Sequence, residues 1–273
     1  MFIASLAVVL APVSIPVAQN GAKHKLADVK ARFEDLAAKD DRAACLELWK
    51  ENPELVLRTI DADLEGSLKV IESSKEPDMK KVAAMHARAI WGAQLASEAT
   101  ANPIVLDYAA SFVGWNKDQQ SLFRAGQAIY KRAMDAYQKG DFKTSLEAGR
   151  ECVDRASALG DWWGAAMGYE AMGLSMQSSS DFDNALVAYS RARLLNHDLG
   201  LATSEYNNLR AMIDMCYTTE RWTRGLQAIN QALDMARKQG NKDSETEFVE
   251  RRAKFEAKGN VNGTPDAPRK AGK

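Results

Sequence analysis

The chain repeats itself every forty residues, and a repeat of that length allows few folds. "GDFKTSLEAG" begins at Gly140, "SDFDNALVAY" at Ser180 and "ERWTRGLQAI" at Glu220. An aromatic residue returns at Phe142, Phe182 and Trp222, each followed three positions on by a small residue, Ser145, Ala185 or Gly225. The blocks 121–160, 161–200 and 201–240 align without a gap, and each ends in glycine. Leu146, Leu186 and Leu226 coincide, as do Ala148, Ala188 and Ala228, and in the first halves Ile129, Tyr169 and Leu209. Units of this size cannot bury their apolar faces alone and stack on one another to do so.

Within each block the apolar and small positions fall at helical spacing in two stretches. The spacing predicts first helices over roughly 121–138, 161–178 and 201–218. A break follows at "KGD", "SSSD" or "TER", and a second helix runs to the terminal glycine, which suits a left-handed helix C-cap. Small residues let two antiparallel helices approach closely while a larger side chain from the partner inserts. The aromatic residue then fills the corner where the pair turns.

These positions resemble the tetratricopeptide repeat in a forty-residue-period variant, clear over 121–240. That pattern has a small residue at its eighth position, an aromatic at the seventeenth and small residues at the twentieth and twenty-seventh. "GLSMQSSSDFDNALVAYSRA" (173–192) matches it best, and "LG" closes the unit at 159–160 and 199–200. The resemblance implies an all-α solenoid of helix pairs with a concave face lined by the first helices. Carried over, the groove residues are Tyr130, Met134, Tyr137, Met167 and Leu174 as apolar anchors, with Glu170, Arg210 and Asp214 setting selectivity; Gln127, Gln177, Asn207 and Tyr217 complete the lining. The implied function is a non-enzymatic scaffold or adaptor binding a protein or peptide. The charged clamp that grips chaperone C-termini is missing, because its positions hold Tyr130, Met134, Ala171, Asn207 and Ala211.

The remainder divides less regularly. Residues 81–120 read as a degenerate fourth repeat in which Asn102-Pro103 replaces the aromatic corner. Residues 23–80 read as a helical N-terminal cap. Leu26, Val29, Phe33 and Leu36 make one face, Asp41 caps "RAACLELWKE", and Pro53 opens a helix with the stripe Leu57, Ile60, Leu64, Leu68 and Ile71. At the other end, 241–258 reads as a capping helix in which Phe248, Val249 and Phe255 cover the last unit. Residues 259–273 have too little apolar content to pack and read as a disordered tail.

Composition excludes some functions and leaves others open. Lys and Arg number 36 against 37 for Asp and Glu, which gives no electrostatic case for nucleic acid. Residues 1–22 read as a signal peptide with an uncharged apolar run from Phe2 to Ala11, which implies export to a periplasm or the exterior. An uncleaved membrane anchor is the second reading, and a buried segment of a cytoplasmic protein the third. Cys45, Cys152 and Cys216 read as buried thiols, with a Cys152–Cys216 bridge left open. His24, His86 and His197 lack the partners of a metal face and read as exposed or capping residues, and no cofactor motif is present. "DADLEG" (61–66) carries three acids that helical spacing is expected to spread around the helix. "DWW" (161–163) reads either as packing at a unit junction or as a stacking platform for a ligand. Two rival functions follow: a self-assembling structural subunit, and a small-molecule sensor binding beside Trp162 and Trp163.

Overall fold

The structure, a computed structural model, describes residues 19–262, with side chains from 25 to 259. The described chain is an all-α solenoid of twelve helices and one 3-10 turn, each packed mainly on its neighbours in sequence. Six helices form the repeats: α6 (Lys117–Gln138), α7 (Phe142–Leu159), α8 (Trp162–Ser178), α9 (Phe182–Asp198), α10 (Ala202–Thr218) and α11 (Trp222–Lys238). They match the two helical stretches of each block read from the sequence. The expected signal peptide falls largely on residues 1–18, outside the described residues.

One turn builds the whole array. At residues 140, 160, 180, 200, 220 and 240 the backbone is left-handed, with φ between 57° and 78°. The residue after each donates its N–H five residues back: Asp141 to Ala136 O, Asp161 to Ala156 O, Asp181 to Met176 O, Leu201 to Asn196 O, Arg221 to Cys216 O and Asn241 to Ala236 O, at 2.8–3.0 Å. This bond closes the helix C-terminus and reverses the chain. Side chains of Asp141 and Asp161 then cap the next helix through Thr144 N and Gly164 N. The same turn occurs at Asp40 (φ 50°), where Asp41 caps through Ala44 N. It joins α1 (Gln19–Ala38) to α2 (Arg42–Glu51).

Small residues sit where the helices touch. A Cβ on Gly168 would lie 3.0 Å from Val153 N and 3.1 Å from Gly149 O, so α7 and α8 meet backbone to backbone. Ser145 is fully buried and accepts a hydrogen bond from Ser175 Oγ at 2.7 Å. The aromatic corner residues are partly buried. Phe142 packs on Tyr137 and Trp222 on Tyr217, with centroids 5.7 and 5.6 Å apart.

The ends are closed by non-repeating helices. Helix α12 (Lys242–Asn262) buries Phe248 and Phe255 on the last unit. It continues past residue 258 into the stretch read as a tail, and residues 263–273 lie outside the described ones. Val249 does not cover the last unit: it is 48% exposed, one position round the helix from Phe248. Before the repeats, α3 (Val56–Glu72), α4 (Met79–Thr100) and α5 (Ile104–Gly114) pack with α1 and α2 around Phe33, Trp49, Leu57, Ile60, Leu64 and Tyr108. Leu57, Ile60, Leu64 and Leu68 form the buried stripe expected of α3, while Ile71 is only partly buried.

That bundle does not simply extend the stack. It seats against the glycine turns of the first two repeats, bringing Leu159, Leu199 and Leu201 into its own core. Trp115 Nε1 donates to Leu159 O at 3.0 Å, and Thr203 Oγ1 donates to Glu54 at 3.3 Å. Gly160 faces Ser111, so a side chain there would meet the bundle as well as backbone strain.

The turn geometry makes a direct prediction. Ser180 and Glu220 hold left-handed conformations that cost a non-glycine residue about 1 kcal/mol. Ser180→Gly and Glu220→Gly should each raise stability by roughly 0.5–1 kcal/mol in denaturant unfolding. Gly160→Ala should lower it by more than that.

Candidate functional site

A cavity of ≈ 370 Å³ lies where the N-terminal bundle meets the first repeats. Its walls come from five helices. Asp61 and Glu65 stand on α3 and Tyr108 on α5. Leu122, Phe123, Gly126, Gln127 and Tyr130 come from α6, and Cys152, Arg155 and Leu159 from α7. Asp161, at the cap of α8, is joined by Trp163 and Met167. Side chains of α3 and α6 tie the two sides of this junction together. Arg124 donates to Glu65 at 2.8 Å and to Glu72 at 2.7 Å, and Gln127 Nε2 donates to Glu65 at 2.6 Å.

The acids of "DADLEG" are sorted by the helix, not scattered by it. Asp61 and Glu65 are four residues apart and share the face that lines the cavity. Asp63 is fully buried on another face, held by Arg88 at 2.6 and 2.7 Å. The expectation that all three spread apart is therefore corrected for the pair spaced by one turn.

Two cavity carboxyls are short of partners. Asp61 accepts a 2.5 Å hydrogen bond from Tyr108 OH, and burial pushes its carboxyl up to about 7, with Glu65 and Asp161 adding repulsion. Asp161 is 7% exposed and accepts from Gly164 N at 2.8 Å; burial pushes it up to about 6. Neither forms a salt bridge with a described residue, unlike Glu65 with Arg124. Arg155 lines the cavity but is held by Glu151 at 2.9 Å. Burial also raises the Tyr130 hydroxyl to about 12 and the Cys152 thiol to about 11, so both stay neutral near pH 7.

The residues expected in the concave groove separate into groups. Tyr130 and Met167 line the cavity, with Met134 one helical turn beyond Tyr130 and partly buried. Tyr137 packs on Phe142 and is bonded by Ser178 Oγ at 3.3 Å. Leu174 packs against the core of the later repeats. Glu170 accepts from Asn196 at 2.8 Å and Asn208 at 3.1 Å, which ties the second unit to the third. Arg210 and Asp214 are engaged by α12: Arg210 with Glu247 at 2.8 Å, and Asp214 with Arg251 at 2.5 Å. Burial opposes the charge of Glu247, yet Arg210 and Arg251 hold it below the usual carboxylate range.

Trp162 and Trp163 both pack partly on the N-terminal core, as the junction reading expects, and Trp163 also lines the cavity. Cys45, Cys152 and Cys216 are buried, and no disulfide joins Cys152 to Cys216. His86 is partly buried, not exposed, with Nε2 2.8 Å from Ser67 Oγ, and burial lowers its proton affinity. His197 pairs with Glu205 at 3.0 Å, and His24 lies outside the described side chains. Among the described residues there is no grouping suited to a metal ion and no helix long and apolar enough to cross a membrane. No protein-family model matches the sequence, and a search of curated proteins finds no match.

The cavity acids bear on stability with a definite sign. The carboxyl of Asp61 is raised to about 7 in the folded chain against an ordinary value of 3.8. Its contribution is therefore fully present below pH 4 and lost as pH rises toward 7. Asp61→Asn keeps the acceptor for Tyr108 and removes the charge. At pH 8 its thermal midpoint should exceed that of the wild type by roughly 3–8 °C. At pH 4 the two should melt together.

Proposed function

We propose that this chain is a non-enzymatic binding module, built as a tetratricopeptide-like solenoid, that takes its ligand into the cavity between the N-terminal bundle and the first two repeats. The observation that carries this reading is that the groove positions at both ends of the repeat array are already engaged within the chain. Glu65 and Glu72 cover Arg124 and Gln127 at one end, and α12 engages Arg210 and Asp214 at the other. What stays available near the start of the groove is a cavity of ligand size, walled by aromatic and aliphatic groups with a few convergent polar ones.

A longer peptide running along the concave face is the second reading. It is favoured by the partial exposure of Met134, Tyr137 and Leu174 between the two covered ends. The scaffold reading and the sensor reading then differ in whether the cavity or this middle stretch holds the ligand.

Gly126 offers a clean separation. It lines the cavity, and a Cβ placed on it meets nothing within 4 Å. Gly126→Leu should fill the space while improving the helix by about 1 kcal/mol. Ligands recovered by mass spectrometry from the purified wild-type chain should be absent from Gly126→Leu and retained by Leu174→Glu. The reverse pattern would move the site to the open groove.

A further inference from the structure

Building on the proposed site, we infer that the cavity is selective for a cation: a primary ammonium carried on a short apolar or aromatic stem, seated between Asp61 and Asp161. Two features of the geometry converge on this. Asp161 is more than nine-tenths buried, lines the cavity, and has one carboxyl oxygen bonded to Gly164 N while the other has no hydrogen-bond partner among the described residues. Asp61 also lines the cavity, and its single hydrogen bond comes from the neutral Tyr108 hydroxyl. Buried carboxylates are ordinarily matched by a cation or by several donors; Asp161 is buried and Asp61 partly buried, and each accepts a single hydrogen bond among the described residues.

The remaining charges do not supply the match. Glu65 adds a third acid and is spoken for by Arg124. Arg155 is held by Glu151. Lys69, on the exposed side of α3, lowers the Asp61 carboxyl only as the last of its influences. The burial that raises both carboxyls toward 6 and 7 leaves them mostly ionised at pH 8 and neutral below pH 5.

The rest of the cavity fits the stem. Phe123, Trp163 and Met167 offer apolar contact, and the faces of Trp163 and Tyr130 can also hold a cation. At ~30 Å³ for each non-hydrogen atom the space takes roughly a dozen of them. That admits a small aromatic amine or one basic side chain of a peptide, and excludes a folded partner from the cavity itself.

Calorimetric titration of the full chain with three matched probes tests the inference: 2-phenylethylammonium, 2-phenylethanol and 3-phenylpropionate. The ammonium should bind at pH 8 at least tenfold more tightly than the alcohol, the propionate should give no heat, and at pH 4.5 the preference should vanish. Asp61→Asn and Asp161→Asn, with unchanged helical circular dichroism, should each weaken the ammonium about tenfold and leave the alcohol unaffected. If either variant fails to fold, the pH series on the wild type still decides. Acetyl-phenylalanyl-lysine amide forms a parallel arm, and binding tenfold tighter than the free amine would assign the cation to a peptide. Alcohol and ammonium binding equally, with Gly126→Leu blocking both, would overturn cation selectivity and leave the cavity as the site. No binding of any probe would overturn both.

Discussion

Every helix of the repeat array ends at one kind of turn, and all but the first begin at one, and the rest of the architecture follows from it. A left-handed residue and a hydrogen bond reaching five residues back recur every twenty positions from 140 to 240. The turn sets each repeat helix after the first at seventeen or eighteen residues and sends the next one back antiparallel. The recurring turn lays each helix against the one before it, so the pairs stack in sequence order. Where the backbones meet most closely, at Gly149 and Gly168, any larger side chain would push the pair apart.

A regular stack has two unsatisfied ends and an open inner face, and this chain treats the ends differently. The last unit is closed by one helix through Phe248, Phe255 and a pair of Arg–carboxylate contacts. The first is closed by a five-helix bundle that packs on the turns at 160 and 200 and also bonds to α6 through Glu65 and Arg124. The second contact leaves the cavity. Two ionisable acids in its wall work against stability near neutral pH. Groups that weaken the fold without a packing reason are where a binding function is to be sought.

Much of this was legible in the sequence. The forty-residue period located the repeat helices and their glycine corners, and the Asp41 and Pro53 signals located starts in the bundle. The repeat pattern places Arg210 and Asp214 among the groove residues. It cannot say that the non-repeating α12 supplies Glu247 and Arg251 to meet them. Val249 has the hydrophobicity to cover the last unit beside Phe248, but the helical period turns it outward. The cavity itself was hidden, because its walls come from residues such as Asp61, Tyr108, Tyr130 and Asp161, far apart in the chain. One local clue existed: Asp61 and Glu65 are a helical turn apart beside the buried stripe of α3.

Bundle and repeats together should form one cooperative body with the cavity at their junction. Native-state hydrogen exchange measures this directly, because amides that open together share one unfolding free energy. The slowest amides of α3 should exchange with the same free energy and denaturant dependence as those of α6, α7 and α8. If α3 opens several kcal/mol more easily, with the repeats still protected, the bundle is a separable unit and the cavity is not a stable feature of the fold.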